Sequence, residues 1–277
     1  MIRLLKNEDR ETVLDYVLRN ETAASFLYSN VMEAGLENNP GVRRCADYYG
    51  YFKGDRLQGI LTFYNLGSCI PHFEASDAMS VFAEIMCKRD FQVLLGMSSV
   101  IKPLFEKIKS MKSVLEYDEC EYLINNNFKP FMIEDILIKK ADWSCAEEVD
   151  FISKAFTTGL NNPTSKDEAI KIIKGRSETE EFLIAKRGGK IVAQACIQSY
   201  TERLCQIGGV CTAEEERGKG YCKAIVSELC SCILRRGKVP ALFVLKSNTP
   251  AIRAYKALGF DYFDDYLMIK FSRDNVN

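Results

Sequence analysis

Between Leu204 and Leu234 the chain runs from an apolar stretch, through Arg217-Gly218-Lys219-Gly220, into an amphipathic pattern. No other segment restricts the fold as tightly. Leu204–Thr212 reads as a strand, and Lys223–Leu234 places Ala224, Ile225, Leu229, Ile233 and Leu234 at helical spacing. The glycine loop therefore sits at a helix N-terminus, where free amide N–H groups and the positive dipole end favour an anion. Gly218 and Gly220 let the backbone approach a pyrophosphate with no Cβ in the way. Other phosphate loops fit less well. The P-loop pattern of Gly-Lys-Ser/Thr is absent, and a dinucleotide fingerprint would need Ala224 as a relaxed third glycine.

The segments that follow narrow the reading. Pro240–Leu245 is a strand, Lys246-Ser247-Asn248-Thr249-Pro250 a turn, and Ala251–Leu258 a helix that stops at Gly259, a C-cap glycine. Phe260 opens the last strands, towards Tyr266–Lys270. Upstream, the chain twice repeats one plan. Tyr48–Lys53 leads through Gly54-Asp55 into Arg56–Phe63, and Glu181–Lys186 leads through Gly188-Gly189 into Lys190–Ile197. Each is a β-hairpin pattern, preceded by helical spacing over Glu11–Leu18 and over Ala146–Phe156, with a further helix over Asp167–Ile173. Asn125-Asn126-Asn127 is turn-rich and closes the first half, and Met132–Lys139 reads as a strand. The expected domains are 1–135 and 136–277.

Bulk properties exclude several functions. Of 277 residues, 37 are Lys or Arg and 38 Asp or Glu, giving a formal charge of −1 with no basic run to grip nucleic acid or an anionic membrane. No apolar run reaches the roughly 20 residues of a membrane span, and charge at Arg3 and Lys6 comes too early for a signal peptide. The 11 cysteines include no Cys-x-x-Cys pair and there is a single histidine, so free thiols in a reducing cytoplasm are expected and no metal site. His72, after Pro71, reads as a surface loop histidine.

At this point the sequence resembles the GNAT superfamily of acyl-CoA-dependent N-acyltransferases. Its Gln/Arg-x-x-Gly-x-Gly/Ala signature falls on Arg217–Cys222, with Arg217 and Gly220 matching and Cys222 departing from the usual glycine or alanine. Val210-Cys211-Thr212 matches the Val-x-Thr that precedes the loop in one group. Asn248 lies seven residues before Tyr255, and Leu258-Gly259-Phe260 matches the Leu-Gly-Phe ending. The resemblance covers about 204–270 strongly and weakens toward the N-terminus. It implies an α/β (α+β) fold: two GNAT-like domains in tandem, each a mixed, mainly antiparallel central sheet flanked by helices, the first degenerate.

The resemblance also implies roles. Backbone groups of Val210, Cys211 and Thr212 would bond the pantetheine arm of acetyl-CoA, and the amides of Arg217, Gly218, Lys219, Gly220, Tyr221 and Cys222 its pyrophosphate. Arg217 and Lys219 would add charge, and Asn248 would contact the cofactor or cap its helix. Tyr255 would protonate the departing thiolate. Glu180, Glu181, Glu202 and Glu214 are candidate bases, none at a decisive position. The implied reaction is direct acetyl transfer to a primary amine of a small molecule, peptide or protein. The alternative is an acetyl-CoA sensor without turnover. In the first half, Phe91–Val100 is the expected counterpart of the glycine loop, with Gly96 its one glycine.

Overall fold

The computed structural model describes residues 1–158, Asp167, Ile170 and 181–272. The helix expected over 167–173 falls, but for two positions, outside the described residues, as does Glu180. The chain packs into two compact units, residues 1–122 with 263–277, and residues 123–262.

The first unit contains β1 (Ile2–Leu4), α1 (Arg10–Arg19), α2 (Ser25–Ala34), β2 (Ala46–Lys53), β3 (Arg56–Tyr64), β4 (Ser68–Phe73), α3 (Ala78–Met86), β5 (Val93–Met97), α4 (Ser98–Ile108) and β6 (Val114–Ile124). The second contains β7 (Leu137–Lys140), α5 (Ala146–Thr158), β8 (Phe182–Arg187), β9 (Lys190–Tyr200), β10 (Leu204–Thr212), α6 (Tyr221–Arg235), β11 (Val239–Leu245) and α7 (Thr249–Ala257). The last strand, β12 (Asp261–Phe271), pairs antiparallel with β5 of the first unit, Tyr266 opposite Met97.

Both units repeat one pairing scheme. β1 to β4 are successively antiparallel and β4 then runs parallel to β5. Likewise β7 to β10 are antiparallel and β10 runs parallel to β11. Even the irregularities coincide. Each hairpin closes on a two-residue turn with left-handed glycine, at Gly54 and at Gly188-Gly189, and each carries a register shift just before it, at Tyr51/Phe52 and Ala185/Lys186. The apolar face of α6 puts Ile225, Leu229 and Ile233 fully inside, against Ala195, Ile207 and Leu242 of the sheet. At about 2 kcal/mol per buried side chain, this packing rather than helix propensity holds α6 in place.

Four expectations are corrected. The reading that ended the first domain at 135 put 123–135 with the wrong half, because Asn125 N–H donates to Pro240 O (2.9 Å), Lys129 N–H to Leu258 O (2.9 Å) and Phe131 N–H to Ser227 Oγ (2.8 Å), all within the second unit. The strand expected over Met132–Lys139 forms only at Leu137–Lys140, since Asp135 is left-handed (φ 65°) and interrupts it. His72 is no surface residue. It lies in β4 and is buried, its Nδ1 2.6 Å from the Tyr16 hydroxyl. Finally, Phe91–Val100 is not the counterpart of the glycine loop. By topology β4 matches β10, so the equivalent connection is Glu74–Asp77 between β4 and α3.

Gly259 ends α7 at φ 90°, and a Cβ built there would stand 1.8 Å from the Asn127 carbonyl oxygen. Both the left-handed backbone and the close approach demand glycine. Gly259→Ala is therefore expected to destabilise the second unit by about 2–3 kcal/mol, since backbone rather than a flexible side chain must move. Urea melts followed by circular dichroism check this; a wild-type midpoint would contradict it.

Candidate active site

The second unit builds its site where two parallel strands part. β10 pairs with β11 only over Leu204–Gln206, opposite Val239–Ala241. Beyond Gln206 it stays bonded to β9 alone, through a bulge between Gly208 and Cys211 centred on Gly209 (φ 58°). Gln194 on β9 pins this bulge, its Nε2 donating to Gly209 O at 3.1 Å. The sequence reading did not single out Gln194, and no spacing signal marks it because its partner comes from another strand. Val210, Cys211 and Thr212 occupy the diverging arm and are half-buried. Their edge facing away from β9 has no strand partner among the described residues.

The loop after β10 has the geometry expected of an anion cradle. Gly218 and Gly220 are both left-handed (φ 79° and 89°). Gly220 is the N-cap of α6 with no side chain capping it, and the first bond into the helix is Ala224 N–H to Gly220 O, 3.0 Å. The amides of Tyr221, Cys222 and Lys223 precede that bond and are the helix's open donors. Phe131 and Ile133 pack under Gly220, and the Lys223 ammonium lies 3.6 Å from the Phe131 ring centre.

The side chains divide by role. Lys219 pairs with Glu216 (2.8 Å) and Arg217 with Glu214 (3.9 Å), so both cations rim the loop on the surface. Tyr221 turns inward, and its hydroxyl accepts a bond from Arg187 Nη1 at 2.8 Å. Only its amide faces the loop's role. Asn248 caps α7, its Oδ1 accepting from Ala251 N–H at 3.2 Å. Tyr255 is buried in the core beside Phe260, ring centres 5.9 Å apart, and its hydroxyl meets the Cys222 thiol. Burial first, and the Cys222 thiol second, hold this phenol well above its ordinary pKa, so it stays protonated. Burial also pushes the Cys222 thiol up to about 11, with Tyr255 pulling the other way. All 11 thiols are free.

Of the candidate bases, Glu181 is held by Lys140 and Arg236, and Glu214 by Arg217. Glu202 is exposed at the β9–β10 turn. None converges on Tyr255. Among the described residues there is no cluster of three or more metal-ligating side chains and no helix long and apolar enough to cross a membrane.

In the first unit the same connection is built differently. Glu74 is bonded to Arg19 (2.9 Å) and Asn20 (2.7 Å), and Asp77 pairs with Lys53 (3.1 Å). The loop has no glycine, and its carboxylates stand where a pyrophosphate would need positive charge.

Comparison with known proteins agrees with this geometry. Residues 147–260 match the model of the Acetyltransferase (GNAT) family. A Drosophila protein of known structure superposes with a TM-score of 0.77 at 12% identity, covering 99% of each chain. A tandem GNAT protein from the clavulanic acid biosynthesis pathway gives 0.65 at 13%, covering 97% of each. A GCN5-related N-acetyltransferase from Sphaerobacter thermophilus gives 0.63 at 13%, covering 98% of this chain and 95% of that one. No curated protein sequence matches significantly. Residues 147–260 are a GNAT-family acetyltransferase domain, in a chain whose whole length takes the fold of tandem GNAT proteins.

Proposed function

We propose that the second unit binds acetyl-CoA and transfers its acetyl group to an amine by direct attack. The observation that carries this reading is the parting of β10 from β11 at Gln206, ending in a left-handed glycine loop on the open N-terminus of α6. The residues fit the group. The unpaired edge of Val210–Thr212 supplies N–H and C=O groups for an amide-bearing arm, and the amides from Gly218 to Lys223 suit a pyrophosphate. Acetyl-CoA supplies the activated thioester; the chain's own residues orient it and manage the proton.

Tyr255 is the proton donor in this reading. Breaking the thioester leaves a thiolate, and a thiolate in this apolar corner is costly. Burial likewise drives the Cys222 thiol beside Tyr255 up to about 11. A departing sulfur there has a raised proton affinity as well, which brings it closer to the phenol's. The raised thiol pKa values of Cys211 and Cys222 also make both poor nucleophiles, in keeping with direct transfer rather than an acyl-enzyme.

The test uses the full chain, because β12 completes the first unit's sheet and cutting at 135 would strip it away. Calorimetry is expected to find one CoA per chain. Gly218→Asp should weaken it at least about tenfold with the melting curve little changed. No atom lies within 4 Å of the new Cβ, Asp tolerates left-handed backbone better than most residues, and the added carboxylate repels the pyrophosphate. Unchanged affinity would remove the loop from the site. Release of free CoA thiol across a broad amine screen then identifies the acceptor.

A further inference from the structure

A buried amide oxygen is left over at the point where the second unit's sheet opens. Gln194 of β9 is 1% exposed, and its Nε2 donates to Gly209 O at 3.1 Å. A carbonyl oxygen has no proton to give, so the amide cannot be turned round and Oε1 is the atom that remains. That oxygen is buried and has no hydrogen-bond partner among the described residues. The neighbouring Gly208 carbonyl is taken as well, by Cys196 Sγ at 3.4 Å, so β9 grips the bulge at two points. Buried acceptors are almost always matched, and Oε1 calls for a donor that the chain does not supply.

Its place in the sheet says which donor. Gln194 stands opposite Cys211 in the β9–β10 register, beside the unpaired arm. On the acetyl-CoA reading above, on which this inference rests, the pyrophosphate lies at the 217–222 loop. The pantetheine arm then runs back along Thr212 to Val210, and the thioester arrives at the Gly209 bulge. The arm's amides bond the strand edge, and the thioester itself carries only acceptors. The donor that reaches Oε1 therefore belongs to the other substrate. Gln194 faces α5, because its register partner Ile184 packs with Ile152 of that helix. Tyr255 belongs to the cluster around α6, so amine and acid approach the thioester from opposite faces of the sheet.

We propose that Gln194 Oε1 receives an N–H of the attacking amine and makes the site selective for primary amines. A primary amine has two N–H bonds. As its nitrogen bonds the acetyl carbon and the C–S bond breaks, the sulfur takes the Tyr255 proton, and one amine proton leaves through water to restore the phenol. The second N–H stays on the nitrogen, and Oε1 holds it from approach to product. A secondary amine has one N–H, which the reaction must remove, so its bond to Gln194 is lost on the way. A carboxamide oxygen accepts a hydrogen bond without taking the proton, so Gln194 orients and selects the nitrogen and is not the base.

The test uses the full chain with n-butylamine, benzylamine and phenethylamine, each against its N-methyl counterpart, at saturating acetyl-CoA. Wild type is expected to favour the primary amines by at least about 100-fold in kcat/KM, since a site built to bond an N–H rejects the analogue that cannot keep it. Gln194→Met keeps the side chain's length and should cut that preference at least about tenfold, with CoA affinity by calorimetry within about threefold of wild type. A role confined to holding the bulge would instead weaken CoA and slow both amines alike, leaving the preference unchanged. Gln194→Glu is the second variant, because its protonated carboxyl reproduces both bonds. Its preference, relative to wild type at the same pH, should recover as pH falls. An unchanged preference in Gln194→Met or, should that variant not fold, a pH-independent preference in Gln194→Glu would overturn the proposal while acetyl transfer still stood. Acetylation of no amine by a chain that binds CoA would sink the transfer reading and this proposal with it.

Discussion

Tyr255→Phe is expected to cut single-turnover acetyl transfer by roughly 10²–10⁴-fold while CoA affinity and folding stay near wild type. The drop corresponds to about 3–5 kcal/mol of transition-state stabilisation. Two facts about the side chain set up opposing forecasts. Its ring is part of the second unit's core, against Phe260 and Leu258, which alone would make Phe harmless and only Ala damaging. Its hydroxyl, however, is turned to the Cys222 thiol at the start of α6. Phe keeps the packing and removes only that hydroxyl, so rate and stability come apart. Single-turnover kinetics are needed so that product release does not mask the chemical step. Full activity in the Phe variant would exclude Tyr255 as the acid.

What the sequence revealed and what it hid follow a physical line. β10, α6, β11 and the two hairpins were legible to within a few residues, because each is a local matter of apolar period and turn chemistry. The geometry of the glycine loop was legible for the same reason, as two glycines and a helix start are local features of the sequence. Features set by distant partners were not. His72 reads as a loop residue beside a proline until α1 brings Tyr16 over it, 56 positions away. Gln194 acquires meaning only when a bulge in the neighbouring strand presents Gly209 O. Gly96 does not mark the first unit's equivalent loop, because connectivity rather than residue identity defines that position. The order of antiparallel and parallel pairings puts the equivalent turn at Glu74–Asp77, where no glycine advertises it. The last strand itself was legible but its partner was not, since pairing with β5 rather than with a sequence neighbour leaves no mark on the strand's own pattern.

The largest expected stability effect lies at Glu148, in the first turn of α5. Its side chain is almost wholly buried, yet it takes Lys139 Nζ at 2.8 Å and Lys186 Nζ at 2.7 Å on one oxygen and the Asp142 N–H at 2.7 Å on the other. One carboxylate thus ties β7, the turn after it and β8 to α5. Glu148→Ala leaves two ammonium groups and an amide without their acceptor, and the expected cost is about 3–5 kcal/mol, the range for breaking one side of a buried pair. That corresponds to a melting temperature lower by about 10 °C for a unit of this size. Trp143, the only tryptophan, packs edge-on against Phe182 at 5.1 Å between centroids and reports on this corner by fluorescence. The effect must also depend on pH in a definite sense. Burial alone would raise this carboxyl's pKa, but the bonds from Lys139, Lys186 and the Asp142 amide outweigh it and hold the group below its ordinary value. A depressed carboxyl contributes its stability above the unfolded-state pKa, about 4.3 for Glu, and loses it as pH falls through the folded value. The gap between wild type and Glu148→Ala should therefore be full at pH 7 and close progressively below about pH 4. A gap that stayed constant into strong acid would mean that Glu148 acts through packing alone, and one that widened on acidification would reverse the assigned charge state.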